Sequence, residues 1–125
     1  MNIQIFTLCE FAQTNNGKTT IIGTFNRVTA QSFPLILPDL YVVLKLAFLE
    51  SINTIISITL RKKGGHDIIT TGPQTLSIQK MDDRESIHDI VFRINQVSFL
   101  EPGDYEVAFK IGKEEYTTGL YVEKK

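Results

Sequence analysis

The sequence has one cysteine, Cys9, and no tryptophan. A lone thiol closes no intrachain disulfide, so packing and hydrogen bonding must hold the fold, in any redox compartment. No apolar run approaches the roughly 18 residues of a membrane-spanning helix. The opening MNIQIFTLCEF lacks a basic leader segment and is interrupted by Gln4 and Glu10, which is not the pattern of a secretory signal. Neither sign of charge dominates: 13 basic against 14 acidic residues leave a formal net charge of −1. The electrostatic footprint of nucleic-acid or anionic-membrane binding is therefore missing. The expectation is a cytoplasmic protein that uses neither nucleic acid nor membrane as partner.

What is present describes a globular chain. It has 125 residues, 42% hydrophobic and 22% charged, which predicts one domain over residues 1–125. A chain of this length buries roughly two-thirds of its unfolded surface, enough for one proper core. The organising stretch is Asp39 to Leu49, DLYVVLKLAFL. Leu40, Val42, Leu44, Leu46 and Phe48 share one face at period two, and Tyr41, Val43, Lys45, Ala47 and Leu49 share the other. Apolar residues would surround a helix of this composition and leave no polar side for water. The stretch therefore predicts a central strand of an antiparallel sheet.

Its neighbours also read as strands. Ile3 to Phe11 is apolar on both faces (Ile3, Ile5 and Phe11 against Phe6 and Leu8), followed by TNNGK, in which Asn16-Gly17 is a hairpin signal because both residues tolerate positive φ. Thr19 to Phe25 returns, with Gly23 marking a bulge or a close backbone approach, and Arg27 to Gln31 extends it. The two prolines of SFPLILPD, residues 32–39, predict a crossover loop. Further strands are expected over 54–62, 68–71 and 75–79, the last two separated by Gly72-Pro73. Residues 81–99 support helical spacing (Ile87, Ile90, Val91, Ile94) or period two (Ile90, Phe92, Ile94). The β-branched and aromatic content of IVFRI favours strand, with one extra residue near Asn95 and Gln96. Tyr105 to Ile111 and Glu114 to Val122 close the chain, and Lys124-Lys125 frays.

Eight or nine strands at intervals of about ten residues predict an all-β fold, an antiparallel immunoglobulin-like β-sandwich. Within FLEPGDY, Tyr105 opens a late strand after the Pro102-Gly103 turn, the location from which a tyrosine hydroxyl can bond back to upstream backbone. Tyr105, Gly103 and Gly17 are thus expected to be structural residues. The alternative for Tyr105 is a core aromatic with a hydrated hydroxyl.

Leu8-Cys9-Glu10 at the end of the first strand, the Asn16-Gly17-Lys18 hairpin, Ile22-Gly23 with Phe25, and Pro102-Gly103-Asp104-Tyr105 occur in this order. Together they resemble a widespread bacterial family of short single-domain proteins of unknown function. The resemblance covers nearly the whole chain and implies a β-sandwich with no assigned activity and no catalytic residues to carry over.

Each chemical motif has a plainer reading beside it. Ala12 to Thr19, AQTNNGKT, satisfies a relaxed phosphate-loop pattern with alanine for the first glycine. Such a loop must open a helix, and the following TTIIGTF is a strand former, so a hairpin turn is expected instead. His66, His88 and Cys9 show no zinc-type spacing, and Cys9 reads as a buried small hydrophobe. Asp82, Asp83, Glu85 and Asp89 lack the turn glycine of a calcium loop and read as a solvated acidic stretch. Arg61-Lys62-Lys63 reads as a charged strand end. No metal or cofactor is expected. The apolar Phe33, Leu35, Ile36 and Leu37 either cap one end of the sandwich or form a patch for a protein partner or for self-association.

The function expected from this pattern is a non-catalytic binding or assembly module working through a sheet edge or the 32–38 loop. A small-ligand domain, for instance for carbohydrate, would need a pocket lined by Tyr41, Tyr116 or Tyr121. A hydrolase would need a serine or cysteine within hydrogen-bond reach of His66 or His88.

Overall fold

The computed structural model describes residues 1–125, with every regular element a β-strand. The strands are β1 (Asn2–Asn15), β2 (Lys18–Thr24), β3 (Arg27–Ala30), β4 (Leu35–Phe48), β5 (Ile52–Lys62), β6 (Asp67–Ile78), β7 (Ser86–Phe99), β8 (Gly103–Ile111) and β9 (Glu114–Lys124). They form two packed sheets, ordered β2-β1-β4-β7 and β3-β9-β8-β5-β6. The chain is a β-sandwich, its nine strands divided four and five. All pairings are antiparallel except β3 with β9.

The core lies between the sheets. Leu40, Val42, Leu44, Leu46 and Phe48 of β4 meet Ile56, Ile58 and Leu60 of β5 and Tyr105, Val107, Phe109 and Ile111 of β8, all buried. Period-two alternation places each set on one face, as Asp39 to Leu49 predicts, and β4 runs between β1 and β7 at the middle of its sheet. Residues 86–99 are strand, resolving the two patterns carried by that stretch in favour of β-branched content.

Four details differ from the sequence expectation. Residues 35–38 are not loop: β4 starts at Leu35, and only 31–34 bend before it. Pro38 is tolerated because Gln96, the residue it faces, adopts a left-handed φ of 52°. Leu37 pairs with Val97 and Asp39 with Asn95, so both strands step over one residue together and the register survives. The phase slip at Gln96 is therefore a matched irregularity in two strands rather than one inserted residue. Residues 67–78 form one strand through Gly72-Pro73, because β5 shifts register opposite that point, between Ile56 and Ile58. Lys124 does not fray: it pairs with Ala30, and the Lys125 amide donates to the Ala30 carbonyl.

The fourth detail concerns β1. Ile3, Phe6 and Leu8 face the main core, while Ile5 and Cys9 face outward, the switch occurring at a bulge over Gln4. Beyond Cys9 the β1–β2 hairpin leaves the plane of its sheet and folds across the outer face of β4 and β7. Thr19 of β2 donates to Asp89 Oδ2 of β7 at 2.6 Å, although β1 and β4 separate those strands in the sheet order. Three strand spacings of about 4.8 Å would hold them apart in a flat sheet. The bend falls at Glu10 and Gly23. Gly23 has φ +68°, and a Cβ there would lie 2.9 Å from the Glu10 carboxyl carbon, so this is the close approach that glycine permits. Ala12 and Ile21 then cover Cys9, Tyr41 and Val43, giving this sheet a second apolar layer. The outer face of the other sheet carries an ion-pair network instead: Arg61 with Glu106 and Glu115, and Lys110 with Glu115.

Candidate functional site

A sandwich leaves four strand edges whose backbone groups lack a ladder partner, here β2, β7, β3 and β6. Three of them are short or interrupted. β3 has four residues, β2 has seven and carries Gly23, and β6 contains Gly72-Pro73. β7 is different. It runs for 14 residues, about 45 Å, pairs with β4 from Ser86 to Phe99, and has nothing hydrogen-bonded along its other side. It contains no proline, glycine or lysine, the residues that commonly blunt an edge.

The side chains of β7 alternate between the core and the outer face. His88, Ile90, Phe92 and Ile94 lie opposite the core-facing residues of β4, and the His88 ring rests 6.4 Å from that of Phe48. Ile87, Asp89, Val91, Arg93 and Asn95 lie on the outer face, opposite Ala47, Lys45, Val43, Tyr41 and Asp39. Ile87 is half exposed. Asp89 is nearly enclosed, its side chain 11% exposed, with Lys45 Nζ at 3.2 Å and the Thr19 hydroxyl at 2.6 Å. Arg93 donates to Asp39 at 2.9 Å and sits 5.7 Å above the Tyr41 ring. The Asp39 hydrogen bond and charge raise its pKa further.

The end of β7 borders a cleft of about 380 Å³ between the 62–67 and 99–103 turns. Ile68, Ser98, Leu100, Tyr105, Lys62 and His66 line it. Lys62 is paired with Glu101, a hydrogen bond that raises the lysine pKa. Tyr105 donates its hydroxyl to the Glu101 carbonyl at 2.7 Å, and its ring stands edge-on to Phe99 at 4.9 Å. Burial, its largest influence, raises the phenol pKa. Gly103 begins β8 immediately beyond.

The residues singled out in the sequence are dispersed. Phe33, Leu35 and Leu37 pack against the main core, so three of the four apolar residues of 32–38 are inward plugs. Ile36 alone is outward, 58% exposed, and it faces Ser98, a wall of the cleft. Asn16 and Gly17 form the hairpin turn with φ of 53° and 75°, and strand follows Lys18, so the phosphate-loop pattern lacks its helix. His66 lies on the cleft and His88 within β7. Cys9 is fully buried, its thiol bonded to the Phe11 carbonyl at 3.4 Å and its pKa raised mainly by burial. Of the acidic stretch, Asp82 accepts from the Arg84 amide, while Asp89 departs into the sheet. Tyr41 lies beneath Arg93, and Tyr116 donates to Glu114, which raises its pKa. Tyr121 lies under Arg27 at 5.9 Å. None of the three lines the cleft between the 62–67 and 99–103 turns.

Sequence reasoning missed the Lys45–Asp89–Thr19 group. Its one signal is Lys45, the single cation on an otherwise apolar strand face, since a charge there requires a partner.

A search of curated proteins found no match. Among solved structures, the chain is similar to the Listeria innocua β-glucosidase bound to isofagomine, at 10% identity and a TM-score of 0.54, covering 95% of this chain and 16% of that one. The same enzyme without that ligand gives 10% identity and 0.53, covering 78% and 14%. At that identity the likeness speaks to the fold alone, and this chain spans about one-sixth of the enzyme's length. A family model matches residues 4–123, and the chain belongs to that family, one of unknown function, DUF6941.

Proposed function

We propose that the protein is a non-catalytic binding or assembly module that accepts a partner strand along the open side of β7. The observation that carries this reading is the unpaired length of β7, regular from Ser86 as far as Gln96, beside three short or interrupted edges. Added strands gain affinity from main-chain hydrogen bonds and specificity from pockets taking alternate side chains. Ile87 and the cleft between Ile68 and Leu100 supply such apolar contacts at either end of the edge. Support for a non-catalytic role comes from the candidate groups themselves. Cys9 is enclosed with a raised pKa, and the two histidines occupy separate surroundings, one at a turn and one in a core-facing position. The experiment is co-purification from the native cell with wild type, an Ile87→Lys/Arg93→Glu edge variant and a Leu100→Asp cleft variant. A partner held by wild type and lost with the edge variant supports the proposal; a partner held equally by both refutes it.

A further inference from the structure

We infer that the strand accepted by β7 is β7 of a second copy, antiparallel and centred on Val91. The inference rests on reading β7 as the binding edge and adds the identity of its occupant. In a two-fold antiparallel pair, residues equidistant from the centre face one another on the same side of the joined sheet. Centred on Val91, Asp89 faces Arg93 of the second copy, and the same contact recurs by symmetry on the other side of the axis. Ile90 faces Phe92 across the core side, and Val91 faces itself. Asp89 is already held in place by Lys45 and Thr19, whereas the Arg93 side chain is 56% exposed and exchanges its surface pair with Asp39 for the new carboxylate.

Neighbouring centres fail on charge. Centring on Asp89 opposes two carboxylates, and centring on Arg93 opposes two guanidinium groups, both destabilising in directly opposed positions. Centring on Ile90 or Phe92 leaves both charges facing apolar or amide side chains. Length selects the same centre independently. β7 begins at Ser86, and its regular course ends at Gln96 with its left-handed φ of 52°. Those two limits are equidistant from Val91, so this register pairs the whole regular edge and leaves no unmatched overhang.

The test is the mass of the full chain by light scattering from low micromolar to millimolar concentration, with two variants. Wild type is expected to become dimeric as concentration rises. Val91→Cys is expected to form a disulfide-linked dimer on mild oxidation, because directly opposed Cα atoms lie within disulfide range. Cys9 lies on β1, with β4 between it and β7, outside that range. Arg93→Glu is expected to raise the dimer dissociation constant about tenfold, since two attractive contacts become repulsive. A dimer that Val91→Cys does not link overturns the register. A protein monomeric at millimolar concentration whose alternate β7 amides exchange rapidly overturns the second copy while leaving the edge open to another strand. A monomer with every β7 amide protected overturns the edge reading as well.

Discussion

Replacing Asp89 with alanine should loosen the β1–β2 hairpin before it loosens the sandwich. Asp89 accepts a charge-assisted hydrogen bond from Thr19 at 2.6 Å and pairs with Lys45 at 3.2 Å. A hydrogen bond to a charged group contributes about 1.5–3 kcal/mol. Breaking a fully buried ion pair costs about 3–5 kcal/mol. That upper figure does not apply, because the Lys45 side chain is 35% exposed and stays hydrated when its partner leaves. The expected loss is about 2 kcal/mol, set by the lower range. It falls on the contact between residues 10–24 and the outer face, where Ala12 and Ile21 add apolar cover over Cys9, Tyr41 and Val43 and the Phe11 ring lies 5.5 Å from that of Tyr41. Hydrogen exchange of dilute protein is the assay: amides of β1 beyond Glu10 and of β2 should exchange about thirtyfold faster in Asp89→Ala. Thr19→Val keeps the Lys45 pair and should cost about 1.5 kcal/mol, the low end of the same range. The double variant should cost little more than Asp89→Ala alone, because both remove one shared contact. Unchanged hairpin exchange in Asp89→Ala, or fully additive costs in the double variant, would refute the latch.

Two further outcomes follow from the same geometry. Tyr105→Phe removes the bond to the Glu101 carbonyl, which lies in an exposed turn and regains water, so the loss should be about 1 kcal/mol and a few degrees in Tm; an unmoved Tm would show that the corner is held by the ring alone. Glu115 has a pKa lowered from 4.5, chiefly by its hydrogen bond from Arg61. A depressed carboxylate pKa adds stability that is fully present above 4.5 and is lost as pH falls through the folded value. Wild type should therefore lose stability below that point more steeply than Glu115→Gln, and parallel acid profiles in urea denaturation would contradict the pairing.

How much was readable in the sequence depended on the range of the interaction. Period-two alternation in Asp39 to Leu49 and in Tyr105 to Ile111 reports burial directly, since a strand has only two faces, and Asn16-Gly17 carries its turn in two adjacent residues. Pro38 misled because a proline usually ends a ladder, and its compensation at Gln96 lies 58 positions along the chain. Thr19 and Asp89 are 70 residues apart, and no local pattern announces a hairpin folded across a sheet. Lys45 alone hinted that the outer face was covered. The exposure of the β7 edge was equally hidden. IVFRI reads as a strand wherever it is placed, and whether a strand is central or bordering is decided by sheet order, to which every connection in the chain contributes.

The central claim is that β7 presents an open edge along its regular length, and residue-resolved hydrogen exchange of the dilute protein tests it most directly. Amides from Ser86 to Asn95 should alternate between slow, where they bond to β4, and fast, where they face solvent, with the fast set slowing once a partner strand docks. Slow exchange at every one of those positions in the dilute monomer would mean the edge is already covered.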